Sequence, residues 1–424
     1  MFKQKNLIIF DILKKFKQRK GVIMNKQKKK YLLIALIYIA FISLGLPDGL
    51  LGVAWPEMRS SFSLPLDALG IILIGSTTGY LLSSFFNGFF IKKIGVAVLL
   101  ALSCLATGLA LIGYTLAPFW WLLPLLAVLA GMGAGAIDAG LNTYVEKHFN
   151  EGLMQWLHAS FGVGITMGPI IMANGIKYSN SWRTGYLIVG TAQLILALVF
   201  VLTLSLWKDP KNKKTAGTDK NKEQEQEMKL IQTLTHLPAL MSILLFFIYT
   251  GIEMAIGHWT YTLFTESRGI STALAGFWVS TYWGSFTVGR ILAGFLAYKF
   301  LSRKIAKYAA ALGLLGSILV AVNLSQWLSL LGIAITGIAI APIFPALISS
   351  TSYRVGKEHT TNTIGIQISA AGLGGALLPG LAGVLARNIS LEIIPIFITI
   401  LFILFLTINN LIKKVTDKAA EKAA

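Results

Sequence analysis

Cysteine is nearly absent from this 424-residue chain: Cys104 stands alone, which excludes a disulfide framework, a zinc ribbon and a dithiol redox motif. Charge is scarce too, at 13% of residues where soluble domains carry about 25%. Acids are the scarcest, 18 against 37 Lys and Arg. No P-loop occurs, so nothing is driven by ATP hydrolysis on this chain itself. Nor is there an HExxH, a GxSxG or a metal-spaced Cys/His cluster, so no enzyme, metal centre or cofactor is expected. Polar stretches of the kind that join compact soluble domains are missing except at 208–235.

What the chain does have is apolar length. Hydrophobic residues make up 55%, with a mean hydropathy of +0.69. Runs of the roughly 20 residues that cross a bilayer fall near 31–56, 68–91, 96–117, 119–145, 153–176 and 184–207. Six more follow the polar stretch, near 238–264, 272–297, 304–323, 327–350, 361–385 and 389–412. They are continuous and do not alternate, which predicts helices and not barrel strands.

A net charge of +19 could suggest nucleic acid, but its placement argues otherwise. With both termini cytoplasmic, 31 of the 37 basic residues fall on the inner side, chiefly in 1–30, 208–235, the loops at Lys92/Lys93, Lys299–Lys307 and Arg354/Lys357, and the tail. Five fall outside (Arg59, Lys177, Arg183, Arg268 and Arg387), and Arg290 lies within a span. That bias is the positive-inside pattern of a multi-pass protein, here expected in a bacterial inner membrane, and nucleic acid is discarded as a partner. Residues 1–20 read as a basic amphipathic helix with Ile9, Ile12, Leu13 and Phe16 on one side. Arg19-Lys20-Gly21 can be encoded by a purine-rich ribosome-binding sequence, and Met24 is the expected translation start. The expected organisation is a basic segment 1–30, a six-helix half 31–207, a cytoplasmic linker 208–237, a second half 238–412 and a tail 413–424, in a monomer.

The halves repeat. An offset of 206 pairs Gly45 with Gly251, Gly88-Phe89 with Gly294-Phe295, and Gly131 with Gly337; an offset of 210 pairs Gly162-x-Gly164-x4-Pro169 with Gly372-x-Gly374-x4-Pro379. Two parallel six-helix halves resemble the layout of the major facilitator superfamily, whose halves rock about a site near the bilayer midplane. The expected fold is therefore an all-α membrane protein of twelve transmembrane helices. Gly162, Gly164, Pro169, Gly372, Gly374 and Pro379 are expected to let the fifth and eleventh helices bend and approach where the halves meet.

Only three acids lie well inside a span: Asp48, Asp138 and Glu253. Each costs about 2.5–3.5 kcal/mol at a helix centre if ionised, so a chain otherwise so poor in acids keeps them for a purpose. A buried carboxyl that takes up and releases a proton suits proton coupling. Asp138-Ala-Gly-Leu-Asn142, after Gly131-x-Gly133-x-Gly135, resembles the fourth-helix motif of the fucose–proton symporter family. Its i, i+4 spacing sets a carboxylate beside an amide on one helix face. Asp48 matches that family's first-helix aspartate, and His158-Ala-Ser-Phe-Gly162 resembles its fifth-helix segment. The resemblance implies that Asp138 couples solute to a proton and that Asp48 titrates along the proton path. The chain departs from the family at Asp138, where symporters of known sugar preference carry glutamate, and at Pro47, where they carry asparagine.

Tyr249 and Glu253 are likewise i, i+4 neighbours. His158 and His258 are candidate proton relays or solute contacts. Trp55, Trp156, Trp259, Trp278 and Trp283 are candidate aromatic walls, and Asn142, Gln367, Asn87 and Gln193 candidate polar contacts. Arg290, after Gly289, reads first as a gate or ion-pair residue and second as a solute ligand. These readings predict a proton-driven secondary carrier of a small polar organic solute, a sugar among the candidates. The alternative is an exporter of amphipathic compounds by proton antiport. A membrane sensor without transport is disfavoured by the retained acids. Sodium stays open as the coupling ion.

Overall fold

A computed structural model describes the backbone of residues 2–149, 151–207 and 230–423, and every regular element within them is helical. The first half holds α1 (Phe2–Ser61), α2 (Leu69–Ile94), α3 (Val96–Leu116), α4 (Leu122–His148), α5 (Glu151–Ser179) and α6 (Arg183–Leu202). The second holds α7 (Leu237–Thr262), α8 (Thr272–Lys299), α9 (Ser302–Val322), α10 (Gln326–Ser349, broken at Ala341-Pro342), α11 (Lys357–Asn388) and α12 (Ile393–Ala423). Eleven of these are long and apolar enough to cross a membrane, the first over Gln27–Ser61. The remaining helix, α8, has 28 residues, length enough to cross, but carries Arg290 and several Ser, Thr and Gly. Within the amphipathic stretch, residues 2–20 are helical along their backbone. Most of the linker, 208–229, lies outside the described residues, and its end forms a short helix, Leu230–Thr235.

Within each half, two helix pairs pack closely: α1 on α5 and α2 on α4, then α7 on α11 and α8 on α10. Small residues let backbones touch where no hydrophobic force drives helices together in lipid. The glycines paired by the repeat do matching work. A Cβ on Gly45 would meet the Ile165 nitrogen at 2.7 Å, and one on Gly251 the Leu378 Cβ at 2.7 Å. Gly131 meets Ser76 of α2 and Gly337 meets Phe286 of α8 in the same way.

The glycine–proline pattern divides its work, which corrects the idea that all of it serves the seam between halves. Gly164 and Pro169 pack on α1, and Gly374 on Phe247 of α7, each inside its own half; the Pro379 carbonyl accepts the Trp259 indole N–H at 2.9 Å. The leading glycines face across: Gly162 lies against Thr287 of α8, and Gly372 against Thr77 and Leu81 of α2, while the Pro169 carbonyl also lies 3.6 Å from a Cβ on Gly276 of α8. Glycines two positions apart point to different neighbours because each helical residue turns by about 100°, so the two are turned by about 200°.

The halves meet along α1–α7, α2–α11 and α5–α8. At the end far from the termini, Gly70 of α2 touches Gly380 of α11, and a Cβ there would have 3.1 Å of space. Towards the lysine-rich end α2 and α11 part: Gly88 and Gly365 have nothing within 4 Å of a Cβ, and Phe85 is 83% exposed. Gly294 of α8 is equally free. The far end is closed by ion pairs that link the halves. Arg59 donates to both Glu266 oxygens at 2.7 and 2.8 Å, and Arg387 to Asp67 at 3.2 and 3.3 Å. The halves are thus bridged by ion pairs at the end far from the termini, while α2 and α11 make no glycine contact at the lysine-rich end.

A third pair ties the second half to itself: Arg268 bonds Glu392 at 2.7 Å and also reaches Ser329 and the Val320 carbonyl. The Arg268 hydrogen bond holds the Glu392 carboxyl below the usual carboxylate range, against the opposing effect of burial. A depressed carboxylate stabilises above its unfolded value, about 4.3, and loses that contribution as pH falls through the folded value. Arg268→Gln is therefore expected to lower the melting temperature in detergent at pH 7 and to have little effect near pH 3.

Candidate functional site

The three intramembrane acids lie near one another between the halves. Asp48 is exposed although helices surround it, the situation of a side chain on the wall of a water-filled space. It lies within electrostatic range of both Asp138 and Glu253. Pro47 and Pro56 lie in the same helix and cost it backbone hydrogen bonds on either side of the acid.

Asp138 is held from two directions. The Tyr80 hydroxyl of α2 donates to Oδ2 at 2.5 Å, and the Asn142 amide donates to Oδ1 at 2.8 Å. The i, i+4 pairing with Asn142 follows the helical spacing. Tyr80 had no such signal in the sequence; it reaches Asp138 because the glycine contacts at Gly79, Gly131 and Gly135 bring α2 and α4 together. Removing that donor by Tyr80→Phe should cut proton-driven initial uptake rates by about 10- to 100-fold, the worth of one hydrogen bond to a charged group, without loss of folded protein in size-exclusion chromatography.

Glu253, at 6% exposure, sits deeper, beside Tyr249, with the Tyr282 hydroxyl on its backbone carbonyl at 3.0 Å. Arg290 lies within electrostatic range of Asp138, Glu253 and His158, and its guanidinium stacks over the Phe286 ring at 4.5 Å. No carboxylate comes within ion-pair distance of it among the described residues. His158 presents its ring edge-on to Phe41, with centroids 5.9 Å apart.

Other candidates sit elsewhere. His258 is buried beneath the far-end seal, where a Cβ on Gly52 would meet its Cα at 2.8 Å. Trp259 is locked between α7 and α11, and Trp278 is buried against Phe264. Trp55 and Trp283 are buried as well, and Trp156 is exposed. Gln367 bonds Ser242 at 2.8 Å and accepts from Thr351 at 3.1 Å inside the second half. Gln193 and Asn87 donate to backbone carbonyls of Ser43 and Ala136 in the first half. Trp259 and Gln367 spend their polar groups within helix packing, whereas the Trp55 and Trp278 indole nitrogens and His258 Nδ1 are buried without a partner among the described residues, so the wall expected from Trp259, Trp278 and Gln367 is not where the acids are. A small apolar cavity among Ile256, Thr260, Val320, Thr336 and Ile398 belongs to the packing of the second half, and none of the acids lines it.

Comparison with known proteins matches this geometry. The family model of the Major Facilitator Superfamily fits residues 37–379. The glucose/mannose transporter GlcP of Bacillus subtilis is 25% identical over 356 residues, covering 82% of this chain and 86% of that protein. The human sodium-dependent glucose transporter 1 is 23% identical over 296 residues, covering 61% of this chain and 55% of that protein. Among solved structures, a bacterial homolog of the human lysosomal transporter Spinster, in an inward-facing and unoccupied conformation, superposes with a TM-score of 0.77 at 14% identity, over 92% of this chain and 98% of that one. A multi-pass helical chain with two repeated six-helix halves, an internal cluster of acids and a family match across most of its length is a membrane transporter and not an enzyme: it belongs to the Major Facilitator Superfamily.

Proposed function

We propose that the chain is a proton-coupled carrier of a small hydroxylated solute of the sugar class, working by alternating access. The observation that carries this reading is the clustering of Asp48, Asp138 and Glu253 between the halves, with Asp48 exposed and Glu253 buried. Sugar transporters among its relatives support the solute class. By charge bias the lysine-rich end is cytoplasmic, the protein sits in the bacterial inner membrane with both termini inside, and the structure is the inward-open state. It acts as a monomer.

Protonation of the acids removes charge from the cavity, so the loaded carrier can close and reorient without burying a lone carboxylate. Asp138 and Glu253 hold the coupling protons, and Asp48, the most accessible, exchanges them with water. Asn142 and Tyr249 offer hydroxyl-directed hydrogen bonds. Arg59–Glu266 and Arg387–Asp67 latch the outer gate.

Purified protein in proteoliposomes tests the reading. An inward-directed pH gradient should drive accumulation of a labelled sugar or sugar derivative, and a sodium gradient at constant pH should not. The relative named for sodium dependence makes that second arm necessary. Accumulation driven by sodium alone would overturn proton coupling. Efflux of amphipathic dyes driven by the same pH gradient, with no sugar movement, would favour the antiport alternative.

A further inference from the structure

We propose that the carried solute is an organic acid, a hydroxylated carboxylate such as a sugar acid, and that Arg290 and His158 hold its carboxylate. The proposal rests on the carrier reading above and narrows its solute class.

Geometry brings these two side chains together from opposite halves. Along the antiparallel α5–α8 seam, Gly276 faces Ala173, Gly284 faces Thr166, and Thr287 faces Gly162. One turn further towards the lysine-rich end, the same register sets Arg290 opposite His158. Neither side chain makes an ion pair or hydrogen bond to another described residue, although both are only partly buried and so reach the cavity.

The nearby acids do not satisfy Arg290. Both Asp138 oxygens already accept a donor, one from Tyr80 and one from Asn142. Glu253 is deeper, among Tyr249 and Tyr282. The guanidinium carbon lies 4.5 Å from the Phe286 ring centroid, and its N–H groups donate to no described residue, so they are available for bidentate binding of a planar carboxylate.

Charge balance points the same way. When protons neutralise Asp48, Asp138 and Glu253, Arg290 is the one full charge left in the cavity. Sealing a lone guanidinium inside a membrane protein is costly, and a neutral sugar brings nothing to offset it. A solute carboxylate does, and because Arg290 and His158 belong to different halves, it would also draw the halves together at the cytoplasmic side. The solute hydroxyls then fall to Asn142 and Asp48.

Solid-supported-membrane electrophysiology on wild-type proteoliposomes, with D-gluconate, D-glucuronate and D-glucose under an imposed pH gradient, tests the proposal. The acids should give proton-dependent currents and glucose should give none. Arg290→Gln should raise the half-saturating gluconate concentration by about 10- to 100-fold, the worth of a charge-assisted hydrogen bond. Arg290→Lys should recover part of that, since it keeps the charge and loses the fork; it also guards against misfolding of the first variant. Glucose currents whose half-saturation is unchanged in Arg290→Gln would overturn the anionic solute and leave the carrier reading standing. Absence of proton-dependent uptake of all three as labelled solutes into the same proteoliposomes would overturn both.

Discussion

Asp138→Asn is expected to abolish proton-driven accumulation of solute while leaving exchange of labelled for unlabelled solute across the membrane. Asparagine keeps the size of the side chain and its Oδ1 can still accept from Asn142, but it carries no exchangeable proton. Binding and reorientation of the loaded carrier survive; coupling to the gradient does not. The effect on accumulation should be large, about 100-fold or more, because the driving force is lost and not merely one contact. Glu253→Gln should behave alike if the two acids share the coupling protons. Asp48→Asn should slow uptake with less effect on final accumulation, since Asp48 is placed to exchange protons with water. Counterflow and gradient-driven uptake in the same vesicle preparation separate these outcomes.

The second large effect concerns the outer gate. Double neutralisation, Arg59→Gln with Asp67→Asn, should shift the resting population from inward-open towards outward-open. It breaks both bridges between the halves, Arg59–Glu266 and Arg387–Asp67, at one member each. Partly exposed pairs are worth up to about 1 kcal/mol each, so the pair together should move the equilibrium by about 10-fold or somewhat more. Arg59 makes two short bonds to a carboxylate and should dominate; Arg387 is 55% exposed and should matter less. Cys104 is buried and is the chain's single cysteine, so its replacement leaves a clean background for paired labels. Spin labels on the outer ends of α1 and α7 should then report a longer distance in the double variant than in wild type. An unchanged distance distribution would show that helix packing around Gly52 and His258 closes the gate without the ions.

The sequence made some of this plain and hid the rest for physical reasons. Bilayer spans are legible because lipid demands long, continuous apolar runs, whatever the neighbours. Even α8, with Arg290 inside it, reads as an apolar run near 272–297. The three acids stood out because charge inside a span is costly. Gly45 and Gly251, or Gly131 and Gly337, could be paired by the repeat, and the structure shows each pair making equivalent close approaches.

Contacts between helices distant in sequence were not legible. Tyr80 and Asp138 are 58 residues apart, and a lone tyrosine in an apolar span looks like packing until its neighbour is known. The outer ion pairs join residues 207 and 320 positions apart. Arg59 and Arg387 were counted for orientation, but a count by sign says nothing of partners. Trp259 and Gln367 have the residue types of a solute-binding wall, whereas the indole N–H and the amide each satisfy local packing. Residue type alone does not tell a polar group that meets solute from one that pins two helices.

Solute-induced proton movement tests the central claim most directly. Proteoliposomes in weakly buffered medium, without sodium and without an imposed gradient, should take up protons when solute is added outside, seen as alkalinisation of the medium with a pH-sensitive dye. The signal should appear in the wild type, disappear in Asp138→Asn, and keep a fixed ratio to solute taken up. Solute entry with no proton movement in the wild type, or an equal signal in Asp138→Asn, would contradict it.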